Sequence, residues 1–168
     1  VPLLATLSSV AVEKLGAQVL AAKQFFYDAK DPRLARDAYL SCASCHNDAG
    51  QDGAVWDLTA GGEGLRNPIN LRGPGAAHAR LHWTGNFDEV QDFEGQIRSL
   101  AGGTGLMTDA AFNAGTRSQP LGDPKAGLSA DLDALAAYVA SLNQSTASPY
   151  RTSSGALTAE AQAGSTVF

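Results

Sequence analysis

Residues 41–46, SCASCH, carry the chain's two cysteines, Cys42 and Cys45, with His46 directly behind the second. A disulfide, half of a zinc site, a redox pair and a thioether attachment point for haem all use a Cys-x-x-Cys pair. Zinc needs four ligands, yet the 168 residues supply three histidines, His46, His78 and His82, and no second cysteine pair. A redox pair belongs at a strand-to-helix junction of an α/β fold, whereas helical signals dominate here and no clear alternating strand is found. A disulfide across two residues is strained and leaves His46 without a role. The fifth residue decides, because C-x-x-C-H is the signature of covalent c-type haem attachment. Two thiols on one helical turn add to the porphyrin's two vinyl groups, and the adjacent His46 then lies under the iron, for which a neutral imidazole is a good ligand. Haem c is therefore the expected cofactor and His46 the expected proximal ligand. Such attachment occurs outside the bacterial cytoplasm, so a periplasmic setting is expected.

On either side of the motif the pattern is helical. EKLGAQVLAAKQFFYDA (13–29) sets Leu15, Val19, Ala22, Phe25 and Phe26 along one side, and Asp31-Pro32 ends it, since proline lacks an N–H and disfavours a helical predecessor. ARDAYLSCASCH (35–46) reads as a short helix ending in the motif. Residues 47–77 are rich in Gly, Pro and Asn and predict a long irregular loop of the kind that carries function. NFDEVQDFEGQIRSL (86–100) predicts a helix with Asn86 as cap and Glu89 completing a capping box. SADLDALAAYVASLN (129–143) predicts another, capped by Ser129, with Leu132, Leu135, Ala136, Val139 and Leu142 facing one way.

Composition narrows the partners. The net charge is −5 with no Lys/Arg cluster, which argues against nucleic acid and anionic membrane. No apolar run approaches the length of a membrane span. Val1 is not preceded by a basic, apolar leader, so a removed signal peptide or excision from a longer chain is expected. LTAEAQAGSTVF (157–168) echoes LGAQVLAAKQFF (15–26), pairing Leu157 with Leu15, Ala159 with Ala17, Ala163 with Ala21 and Phe168 with Phe26. The expected organisation is a haem domain over 1–143, a Ser/Thr/Pro-rich linker over 144–156, and the start of a truncated second haem domain over 157–168.

Two further stretches carry a family resemblance. NPINLRG (67–73) resembles the Pro-x-Asn-Leu-x-Gly-type loop of class I cytochromes c, and LAAYVASL resembles that family's C-terminal helix, which packs on the first. The resemblance implies an all-α, class I cytochrome c-like haem domain with an extended irregular distal loop. It also implies that the Pro68 carbonyl fixes the proximal histidine, with Asn70 and Leu71 in the same haem-binding loop. RLHWTGNFDEVQDFEGQI (80–97), after Arg66-Asn67-Pro68, resembles the first domain of bacterial di-haem cytochrome c peroxidases and methylamine-utilisation di-haem enzymes. In that family a tryptophan lies between two haems, so Trp83 inherits that role or serves as an apolar contact for the porphyrin.

The sixth iron position separates an electron carrier from an enzyme. Met opposite His suits electron transfer, and the single methionine, Met107, lies on a Gly-rich loop outside any helix stripe. Met107 is the expected sixth ligand; His82, His78 and an open site are the alternatives. The family's peroxidatic domain has a glutamate before its methionine, where Leu106 stands here, and no histidine occurs over 47–77. Gln96 matches a glutamine of the distal pocket. The expected function is single-electron transfer by a His/Met haem within a larger periplasmic redox protein, exchanging electrons with a redox partner or a second haem domain of the same chain. The alternative is a peroxidase-type enzyme with an open or displaceable distal site. Calcium is not expected: Asp48, Asp52 and Gly53 mimic the start of an EF-hand, but Thr59 stands where a bidentate Glu is required, and Asn67 would supply only part of the family's inter-domain calcium site.

Overall fold

The computed structural model describes residues 5, 7, 10–73, 80–144 and 147–168. Within them the chain forms α1 (Ala17–Tyr27), α2 (Cys42–Cys45), the strands β1 (Trp56–Leu58) and β2 (Gly64–Arg66), then α3 (Glu94–Ser99), α4 (Asp109–Phe112), α5 (Ala130–Ser141) and α6 (Ala159–Ser165). The fold is mostly helical, with one small antiparallel ribbon pairing Trp56 with Arg66 and Leu58 with Gly64. That ribbon is the addition to the all-α expectation, and it lies inside the stretch read as irregular.

The core is the contact between α1 and α5. Ala22 and Phe26 of α1 meet Ala134, Leu135 and Tyr138 of α5, with Val19, Leu71 and Leu142 around them. The Phe26 and Tyr138 rings meet edge to face at 5.2 Å, a favoured aromatic geometry. Burying Phe26 contributes roughly 2–3 kcal/mol by area. α5 starts where the sequence predicts: the Ser129 hydroxyl accepts the Leu132 N–H at 3.3 Å. α1 stops at Tyr27, earlier than the pattern implies, because the Asp28 side chain takes the Lys30 N–H at 2.7 Å and favours a turn.

Two predicted helices are shorter. Residues 35–40 are not helical: Ala35 is buried and bridged to Gly102, and the Arg36 N–H bonds the Ala101 carbonyl at 3.1 Å. Long-range pairing there overrides local helix propensity. The helix predicted from Asn86 begins instead with a 3₁₀ turn, Val90–Phe93, running into α3. Asp92 accepts the Asp88 and Glu89 N–H groups at 3.0 and 3.5 Å, so it holds the entry to this helix, and Asn86 is free for another task. The buried Lys125 ammonium pairs with Asp92 from the loop before α5, tying that loop to the 3₁₀ turn. No helix among the described residues is long and apolar enough to cross a membrane.

Candidate functional site

α2 is one helical turn, entered through Ser41, whose N–H bonds the Ser44 hydroxyl at 3.0 Å. Three-residue spacing sets Cys42 and Cys45 on the same face. Both thiols are free and both line, with His46, a cavity of about 530 Å³. Burial pushes the Cys42 thiol up to about 11 and raises Cys45 as well, with Asp52 adding to the second. Apolar wall comes from Phe26, Leu34, Leu71, Ile97, Leu135 and Val139.

One residue beyond His46 the chain takes two left-handed positions, Asp48 (φ 48°) and Ala49 (φ 61°), unusual for side chains with a Cβ. The resulting turn lets the Ala49 carbonyl accept the Leu71 N–H at 2.9 Å, which draws residues 67–71 against the imidazole. His46 Nδ1 lies 2.9 Å from the Ile69 carbonyl and 3.4 Å from that of Gly50. The carbonyl expected from Pro68 is therefore supplied one residue later, by Ile69. Pro68, Asn70 and Leu71 all line the cavity, and Asn70 holds the turn by accepting the Arg72 N–H at 2.8 Å. With Nδ1–H committed to a carbonyl, the lone pair of His46 Nε2 remains for a metal. Burial lowers the His46 pKa from its ordinary 6.5, with a smaller contribution in the same direction from nearby His82, while the Gly50 and Ile69 carbonyls act the other way.

His82 is the second imidazole on this wall. Its backbone is left-handed at φ 64°, inside a loop closed by a bridge between Leu81 and Phe87. The ring is packed by Phe87 and Phe93, with centroids at 4.3 and 5.0 Å. Nδ1 lies 2.7 Å from Asn86 Oδ1, an acceptor, so a neutral ring takes the tautomer with its proton on Nδ1 and its lone pair on Nε2. Glu63 Oε1 stands 3.7 Å from the same Nδ1 and also accepts the Thr84 hydroxyl.

Met107 does not join the cavity wall. It is 5% exposed, and its backbone is held from both sides: its N–H donates to Glu94 at 3.1 Å, and its carbonyl accepts from Arg98 at 2.7 Å. Leu106 is fixed by the same carboxylate, at 2.9 Å. His78 lies outside the described residues. Trp83 lines the cavity while 57% exposed, anchored by its indole N–H to the Asn67 carbonyl at 2.9 Å, and Gln96 is on the wall as well. The Asp52 carboxylate, read as a mimic of a calcium loop, is taken by the Ala54 N–H and the Trp56 indole.

Sequence reading missed Ile69, Asn86 and Glu63. Ile69 acts through its backbone and leaves no side-chain signal. The four-residue spacing between His82 and Asn86 is a legible signal, masked by the competing reading of Asn86 as a cap. Glu63 is marked only by its flanking glycines, Gly62 and Gly64, both left-handed.

Two free thiols three apart, an imidazole with one nitrogen committed, and an apolar cavity beside them form a donor set that fits haem c. The Cys42–Cys45 spacing fits covalent attachment. A mostly helical domain with such a cysteine pair is the class that fold and site define. No protein-family model matches the chain, and no curated protein matches it. Among solved structures, hydrazine synthase of Kuenenia stuttgartiensis, pressurised with 20 bar xenon, superposes with a TM-score of 0.55 at 24% identity. The match covers 99% of this chain and 56% of that one, so the chain spans little more than half the length of its structural neighbour. At that identity the likeness is one of fold.

Proposed function

We propose that this domain passes single electrons through a covalently bound haem c, with Cys42 and Cys45 as thioether donors, His46 as one axial ligand and His82, in place of Met107, as the other. The haem iron supplies a one-electron couple. The chain's own residues fix its surroundings: Ile69 and Asn86 set the tautomers of the two imidazoles, Phe87 and Phe93 clamp the second ring, and Leu71, Leu135 and Val139 exclude water. Arg66, Arg72 and Arg80 give the wall positive charge suited to the porphyrin's carboxylates.

The observation that carries this reading is His82: a strained backbone, a packed ring and a committed Nδ1 hold it on the wall of the cavity that Cys42, Cys45 and His46 also line. Strain at one residue is retained where its surroundings over-determine it, as at ligand clamps. An imidazole packed by two rings would be hard to displace from a bound iron, which suits electron transfer more than peroxide chemistry. In this reading residues 1–143 are the haem domain, 144–156 a linker and 157–168 the opening of a second haem domain, within a periplasmic or otherwise exported redox protein. Its partner is another redox protein or that second domain. Hydrazine synthesis is not carried over from the structural neighbour.

The test is the visible and electron-paramagnetic spectrum of the chain produced in a host that matures cytochromes c. The expected wild type is low-spin, His82→Ala becomes high-spin, and Met107→Leu leaves the spectrum unchanged. A low-spin His82→Ala with an altered Met107→Leu would return the ligand to methionine. A high-spin wild type that reacts rapidly with peroxide would favour the enzyme.

A further inference from the structure

Glu63 is 3% exposed, yet its Oε2 has no hydrogen-bond partner among the described residues. Its Oε1 accepts the Thr84 hydroxyl, and its N–H bonds the Leu58 carbonyl at 3.1 Å. Left-handed glycines on both sides, Gly62 at φ 81° and Gly64 at φ 70°, hold it at the turn of the ribbon. The side chain lies on the cavity wall, with Oε1 3.7 Å from His82 Nδ1. A buried acceptor left unpaired is costly, and a glutamine or leucine would fill the same volume without a charge. The packing around Glu63 gives no reason for a carboxylate, whereas its place beside the imidazole does.

We propose that Glu63 is a positioning residue that holds negative charge against the Nδ1 edge of His82 and so draws the reduction potential of the haem downward. This rests on His82 being an axial ligand, as proposed above. Charge near the N–H of a ligating imidazole makes the other nitrogen a stronger donor. In a buried site such a charge is weakly screened. Both effects favour the oxidised iron, which carries one more positive charge, and net charge with burial is a recognised lever on haem potentials.

The experiment is a redox titration of the full haem-loaded chain, with its spin state read on the same samples. Glu63→Gln preserves shape and removes charge; it is expected to stay low-spin while the equilibrium shifts about tenfold towards reduced iron, about 59 mV for one electron. Glu63→Asp, which restores the charge, is expected to return most of that shift. Thr84→Val removes the hydroxyl that partly neutralises Oε1 and is expected to move the potential the other way. A Glu63→Gln protein that is low-spin with an unchanged or lowered potential overturns the inference. If that variant does not load haem, Thr84→Val decides, and an unmoved potential there overturns it equally. Failure of the underlying reading looks different, since His82→Ala would then stay low-spin.

Discussion

Glu94 has no exposed surface, and its carboxylate accepts three N–H groups: from Arg98 at 2.8 Å, Leu106 at 2.9 Å and Met107 at 3.1 Å. Gly105 makes this contact possible. A Cβ there would stand 2.1 Å from Glu94 Oε1, and its φ of 92° disfavours any side chain. Removing one member of such a buried pair costs about 3–5 kcal/mol, so Glu94→Ala is expected to lower the urea midpoint by that equivalent. Gly105→Ala should be destabilising for steric reasons, by about 1–3 kcal/mol. At the cysteines, Cys42→Ser or Cys45→Ser is expected to leave one thioether, read from the red shift of the pyridine haemochrome α-band that an unsaturated vinyl causes, and the double variant none, read from an intact mass without added haem. The chemistry of 42–46 was legible because it depends on residue types at fixed spacing. The sixth position was harder to read: composition offers Met107 and His82 alike, and only the fold shows His82 on the cavity wall while Glu94 and Arg98 hold the backbone of Met107.

Among the elements, α5 was legible in its cap and in Leu132, Leu135 and Val139 of its stripe, whereas the buried Ala134 and Tyr138 lay outside the stripe as read. Ser129→Ala is expected to cost about 1 kcal/mol and Phe26→Ala about 3–5 kcal/mol, both by chemical denaturation. The stretch 35–40 was not legible, since its pairing partner, Gly102, lies far along the sequence. Arg33 joins the end of the α1 segment to the start of α5, contacting Asp31 and Asp131 at 2.7 Å each. The Arg33 side chain, by hydrogen bonding above all, lowers the Asp31 pKa from its ordinary 3.8, with burial opposing. A carboxyl whose folded pKa is depressed contributes stability that is fully present above 3.8 and fades as pH falls through its lowered value. Arg33→Gln is therefore expected to raise the pH of acid unfolding, followed by circular dichroism.

At the scale of the whole molecule, the buried residues among those described belong to the part before residue 143, and α6 buries none of its own. A chain ending at Asn143 is expected to keep its denaturation midpoint within about 0.5 kcal/mol of the full chain, and a larger loss would show that 157–168 belongs to the same folding unit. The mostly helical class followed from periodicity, because α1 and α5 carry apolar stripes, whereas their packing on each other was implied by the resemblance to class I cytochromes c. The ribbon did not, as strands of three residues give no readable alternation and take their register from left-handed glycines.

Those short strands form one part of the cavity wall. A two-stranded ribbon is marginal by itself, and β1 and β2 carry Trp56, Leu58 and Arg66 on the wall, with Glu63 at the turn. Local opening follows the least supported backbone, so amide protons over 56–66 should exchange with deuterium soonest in the empty chain and slow markedly once the porphyrin is bound, while those of α1 and α5 change little. The ribbon would then be the last part of the domain to set, moulded by its own cargo.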